Sequence, residues 1–151
     1  MFQASTSETD RPLSFKERGF DFIPIRQAHL DFLGYCYGRT PPPLEEVEGF
    51  ALVDRNCLPL GLALVHFEDG GTVTCHAHFG KWLKIYPKDI LRGMKVTMDS
   101  LRERGIFILH AIADDGIEGS DTLVKWCRGV PTGQRAETGP IYRIDLRDMK
   151  V

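Results

Sequence analysis

In the run "TVTCHAHF" (residues 72–79) two histidines, His76 and His78, stand two positions apart. If the run is a strand, its side chains alternate between faces. Val73, Cys75, Ala77 and Phe79 then share one face, and Thr72, Thr74, His76 and His78 the other. An imidazole titrates near neutrality, so either histidine could take a substrate proton with little tuning. The competing reading is a histidine that lies against a helix and is hydrogen-bonded to backbone. A metal centre would need third and fourth ligands at suitable spacing. The sequence offers only scattered His66, His110 and Cys57, so no metal is expected. His110 sits in an apolar run and reads as packed. Cys75 falls on the apolar face with no partnered base, which argues against a cysteine nucleophile.

A second chemistry-bearing cluster follows directly. Lys81, Lys84, Lys88, Arg92 and Lys95 fall within fifteen residues, the last three on one helical face. They could form a cationic rim for phosphate or another anion, or an ordinary solvated helix face. A phosphate cradle built from backbone N–H groups normally uses glycines at a helix start. In "GKWLKIYPKD" only Gly80 is available, crowded by Trp82, Leu83, Ile85 and Tyr86, and Pro87 removes one N–H. Gly93 is the one glycine inside the helix that follows. Asp114-Asp115-Gly116 ends the fifth strand, where the edge of a split sheet could face a substrate, and it also reads as a normal turn.

These groups need elements to hold them. Residues 1–19 are polar and proline-interrupted and read as a loose arm, leaving 20–151 as one domain. "FDFIPIR" reads as a strand, and "QAHLDFLGYCYGR" as an amphipathic helix with Leu30, Leu33 and Tyr37 on one side. The prolines of "TPPPLEEVEG" end it. "FALVD", "LGLALVHFE" and "TVTCHAHF" read as three strands, the last two joined by a hairpin turn at Asp69-Gly70-Gly71. A helix then starts near Pro87 and Asp89, carries an apolar stripe of Ile90, Met94, Thr97 or Met98, and Leu101, and stops at Gly105. "IFILHAIA" reads as a strand covered on both faces, and "SDTLVKWCRG" as a short helix capped by Ser120. "VPTGQRAETG" reads as a loop before the final strand "PIYRIDL".

Bulk properties exclude several classes. Hydrophobic residues make 42% and charged residues 26% of the 151, ordinary for a globular domain. A formal charge of -2 gives no reason to expect nucleic acid or membrane as partner. No apolar run reaches the ~20 residues of a membrane span, and the start lacks a signal peptide's pattern. Four cysteines without a C-x-x-C pair suit reduced thiols in a cytoplasm.

The element order and several local segments resemble the GCN5-related N-acetyltransferase (GNAT) superfamily, and more narrowly the short GNAT-like proteins encoded by bacteriophages. The resemblance spans Asp21 to Leu146 and is one of layout. "FIPIRQAHLDFL" is similar to the family's first strand and helix, "SLRERGIFILHAIAD" to its central helix and fifth strand, "SDTLVKWCRGV" to its fourth helix, and "GPIYRIDL" to its closing strand. It implies an α/β (α+β) fold, with a mostly antiparallel sheet of six to seven strands and helices on both faces. It also implies an acyl-CoA-dependent N-acetyltransferase, in which an amine attacks the thioester of acetyl-CoA directly. His76 or His78 would take the amine proton, and backbone near His78 and Phe79 would hold the acetyl carbonyl. Phe79, Lys81, Lys84, Lys88, Asp89 and Arg92 would surround the cofactor. Two features depart from the family pattern: the phosphate loop is glycine-poor, and Lys125 stands where the fourth helix usually has a tyrosine acid. Tyr142 is the substitute available for that acid. The alternative expectation is an inactive scaffold acting as a phage structural or host-interaction protein, with a protein partner or a second copy. Either form would reside in a host cytoplasm or a virion.

Overall fold

The structure, a computed structural model, describes residues 15–117 and 119–148. Its elements in chain order begin with α1 (Phe15–Arg18), β1 (Asp21–Pro24), α2 (Gln27–Tyr37), a 3-10 turn (Leu44–Glu46) and β2 (Val47–Val53). They continue with β3 (Pro59–Phe67), β4 (Val73–His78), α3 (Trp82–Ile85), α4 (Pro87–Glu103), β5 (Ile108–Ile112), α5 (Ser120–Trp126), β6 (Val130–Arg135) and β7 (Pro140–Asp145). One seven-stranded sheet has the order β1-β2-β3-β4-β5-β7-β6. All its neighbours are antiparallel except β4 and β5.

Strand alternation sorts the core into two layers. Phe50, Leu52, Ala63, Val65, Leu109 and Ile144 point to one face, where Ile90, Met94, Met98 and Leu101 of α4 and Leu123 and Val124 of α5 cover them. Ala51, Val53, Leu62 and Leu64 point to the other, against Leu30 and Leu33 of α2. The periodic stripes seen in the sequence are therefore the two helical coats of the sheet. Gly93, inside α4, answers a packing need: the Phe22 ring of β1 occupies the place where a Cβ would stand. It is a contact glycine with no part in a phosphate cradle.

Three local expectations are corrected. "VPTGQRAETG" is not a loop, since its first six residues form edge strand β6, hairpinned onto β7 with an irregularity between Pro131 and Arg135. Proline and glycine in that run looked like breakers, but an edge strand tolerates both because one side needs no ladder. Ser120 does not cap α5. Gly119, at φ 84, holds the cap position, and the Ser120 hydroxyl instead donates to the Asp114 carbonyl at 2.7 Å. Finally, "IFILHAIA" is fully covered on one face only, because Leu109 and Ala111 are buried while Ile108, His110 and Ile112 are half-buried. The expected arm up to residue 19 lies largely outside the described residues, but its end is ordered as α1. There Phe15 is buried edge-on to Phe22 and Tyr86, with ring centroids 5.5 and 4.7 Å away.

Candidate functional site: a wedge between β4 and β5

The parallel pair β4–β5 is in register only at Thr74↔His110 and Cys75↔Ala111. Beyond that point β4 continues to His78, while β5 continues along β7 through Ile112↔Ile141. The two strands therefore diverge, leaving a wedge whose backbone groups have no partner strand across the gap. Gly139 lets β7 follow β5 past this point, because a Cβ there would run into the Ala113 carbonyl.

A cavity lies on each face of the wedge. On the helical face, a narrow apolar one of about 60 Å³ is lined by Cys75, Ala77, Met98, Leu123 and Val124, among others. On the opposite face, a polar one of about 520 Å³ is walled by His66, Glu68, Thr74 and His110, and by Thr40 from the α2–β2 connection and Gln134 of β6. His76 lines both cavities. Among the sequence candidates it is the one at the meeting point.

The electrostatics separate the two histidines. Burial and the neighbouring His66 hold His76 below the usual histidine range, opposed by the nearby Glu68 and Asp114 carboxylates. It is thus neutral at pH 7, the form that accepts a proton. His78, 8% exposed, packs its ring 5.1 Å from that of Tyr37 and lines neither cavity. Burial, then His76, pushes it down to about 4, and its Nδ1 has no hydrogen-bond partner among the described residues. Tyr142 is partly buried on β7, opposite Ala111 and against the layer beneath α4 and α5. That is the face away from the larger cavity. Cys75, pushed up to about 12 by burial and by Cys127, is a protonated packing thiol.

The cationic segment is arranged as follows. Phe79 is buried in the core, and Lys81, Lys84, Lys88 and Arg92 are exposed. Lys81 stands 4.9 Å from the Trp82 ring, and Arg92 bonds Asp89 at 3.0 Å. Lys95 is drawn to Asp99 at 2.6 Å, so it belongs to a helix-surface pair. Arg18 of α1, assigned to the arm on sequence grounds, joins this end of the molecule, its guanidinium 5.9 Å from the Trp82 ring. Trp82 and Tyr86 pack against Phe20 and Phe15 and line neither cavity, so the wedge is not plugged by them. Leu83 also lines neither cavity; it brings α3 against the start of α5, its Cδ2 2.9 Å from where a Cβ on Gly119 would stand.

Sequence reasoning missed two features. Asp114, read as part of a turn, takes a bidentate bond from Arg39 at 3.0 and 2.8 Å. Glu68, read as the end of a strand, accepts from the Thr74 hydroxyl at the cavity. The first pairing has no local signal; the second lies six residues apart across the Asp69-Gly70-Gly71 turn, which marked the hairpin and not the bond. A carboxylate at a strand end was visible, but its partner was not. Among the described residues no group of His, Cys, Asp and Glu could hold a metal ion.

No family model and no curated protein matches this sequence. Solved structures do match. A GNAT-family acetyltransferase from Staphylococcus aureus Mu50 superposes with TM-score 0.58 at 7% identity, covering 84% of this chain and 99% of the other. An N-acetyltransferase from the same organism gives 0.59 at 14% identity over 84% and 98%. A domain from Methanocaldococcus jannaschii gives 0.56 at 14% over 83% and 97%. At such identities the likeness is one of fold. This chain has the fold of the GNAT acetyltransferases.

Proposed function

We propose that the protein is an acyl-CoA-dependent N-acyltransferase in which the amine enters the larger cavity and His76 is the general base. The observation that carries this reading is the position of His76, which lines both cavities where β4 and β5 part. A thioester bound on the helical face supplies the electrophilic carbonyl and a thiolate leaving group. From the other face, the amine nitrogen forms the new C–N bond as the C–S bond breaks. His76 takes the proton the nitrogen sheds, and Tyr142, on the helical face, is the candidate to return one to sulfur. His78 contributes through backbone and packing, because a ring neutral down to about pH 4 and turned onto Tyr37 is poorly placed for proton transfer.

The residues present fit such a cofactor in part. Lys81, Lys84 and Lys88, with Arg92 beside Asp89, give side-chain cations where glycine amides are usual. An arm running from that rim to the wedge would pass the Leu83–Gly119 contact, with Leu83 turning aside on binding. If phage-encoded, the protein would act in a host cytoplasm. The same Leu83–Gly119 contact, with Lys125 in place of a tyrosine, favours a second reading, a non-catalytic scaffold that binds a protein partner.

Calorimetry with acetyl-CoA separates the two. The enzyme reading expects micromolar binding, weakened about ten-fold in a Lys88→Ala, Arg92→Ala double variant. It also expects release of free thiol with an amine present. Absence of heat at high micromolar acetyl-CoA leaves the scaffold.

A further inference from the structure

We propose that the larger cavity selects an acceptor bearing a second, cationic group, which sits on the Glu68 carboxylate while the reacting amine lies at His76. This rests on the acyltransferase reading for the fate of the amine, but the binding claim stands on the cavity itself. Register across the sheet places His66, Thr74 and His110 side by side on β3, β4 and β5. Glu68 reaches back to this row through its bond from Thr74, and His66 is backed by Glu46 at 2.9 Å. Of the two carboxylates, Glu68 lines the cavity and Glu46 stands behind His66.

Positive side chains are held elsewhere. No lysine or arginine is among the described residues that line the cavity. Arg39, near its rim, is turned onto Asp114, to which its Nε and Nη2 donate. Arg143, opposite His110 on β7, lies outside the lining and acts on Asp145. The remaining titratable wall groups are imidazoles, and His76 is held neutral by burial. The field inside is thus negative, and a cation is the ligand charge it accepts. An anionic group would meet Glu68 with no counter-ion.

Geometry sets the span. Thr74 and His76 are two residues apart on one face of β4, about 7 Å along a strand. A short aliphatic chain between two nitrogens bridges that distance. Ile112 and Ile141, also on the wall, give its methylenes an apolar surface.

The test compares three probes of similar length, putrescine, butylamine and γ-aminobutyrate, binding to the full chain without thioester, by calorimetry. The second positive charge should make putrescine bind at least about ten-fold tighter than butylamine, with γ-aminobutyrate weakest. Glu68→Gln, at an exposed strand end, should erase the gap between putrescine and butylamine. Raising salt should narrow it in the wild type. Equal affinity for putrescine and butylamine, a preference for γ-aminobutyrate, or no binding of any probe would overturn the proposal. Adding acetyl-CoA then distinguishes the two levels. Selective putrescine binding without acyl transfer removes the enzyme reading and keeps the cation site. Acyl transfer to butylamine and putrescine alike keeps the enzyme and removes the cation site.

Discussion

Arg39 and Asp114, 75 positions apart, form a two-bond guanidinium–carboxylate pair that ties the α2–β2 connection to the end of β5. The hydrogen bond from Arg39 holds the Asp114 carboxyl below the usual carboxylate range. The connection so anchored supplies Thr40 and Pro42 to the wall of the larger cavity. Arg39 is thus a positioning residue. Arg39→Ala should raise the acceptor KM roughly two- to five-fold, the scale of a part-exposed ion pair. It should leave acetyl-CoA binding and kcat near the wild-type values. Arg39→Lys, which keeps charge but loses the fork, should recover only part of the change. A drop in kcat with KM unchanged would show that the pair acts on chemistry and not on the cavity wall.

In the proposed reaction the neutral form of His76 accepts the proton, and burial lowers its pKa below 6.5. Activity should therefore hold at neutral pH and fall as pH drops through that lowered value. His76→Gln should lower kcat by about 10² or more and remove this acid limb. A variant that keeps both rate and acid limb would take the base role away from His76.

His78 provides a stability signature separate from catalysis. The unfolded chain binds its proton near pH 6.5, the folded one only near pH 4, so the folded state binds fewer protons between. Stability is complete above pH 6.5 and drains as pH falls toward 4, by about 3 kcal/mol from this group if the shift is fully expressed. His29 and His76 shift the same way and add to the slope. The lowered carboxylates Asp99, Asp114 and Asp145 add their losses only below their usual 3.8. His78→Phe keeps a ring against Tyr37 and should flatten denaturant-measured stability between pH 6.5 and 4. An unchanged slope would assign the effect to the other histidines.

Leu83 is a core residue to which the acyltransferase reading adds the part of a gate. Leu83→Ala removes a side chain that is 4% exposed and should cost about 2–4 kcal/mol. The same change opens the contact with Gly119 and should tighten acetyl-CoA binding despite the lower Tm. Gly119→Ala puts a methyl group against Leu83 at a φ of 84 and should lower stability without improving binding. Weaker acetyl-CoA binding by Leu83→Ala would mean the contact is permanent packing, as the scaffold reading requires.

What was legible in the sequence was what local physics dictates. The alternation of "TVTCHAHF" put His76 and Cys75 on opposite faces, as found. The stripe Ile90, Met94, Met98 and Leu101 marked the buried side of α4. Gly70 and Gly71 marked the turn joining β3 to β4, both at positive φ. Each depends on neighbours a few residues away, where period and turn chemistry act. Edge strand β6 escaped because its ladder is made on one side by β7 alone, and Pro131 and Gly133 masked it.

The site was decided at longer range. That β4 and β5 pair for two residues and then part is a property of two strands separated by α3 and α4. This parting gives His76 its place between two cavities, while His78, of the same type and two residues on, is turned onto Tyr37 and buried. Sequence alternation could assign both histidines to one face but could not say which would meet a gap and which a helix. The Arg39–Asp114 tie arises likewise from a chain crossing. Side-chain type and period are written locally, whereas cavities and charge partners exist only where distant segments meet.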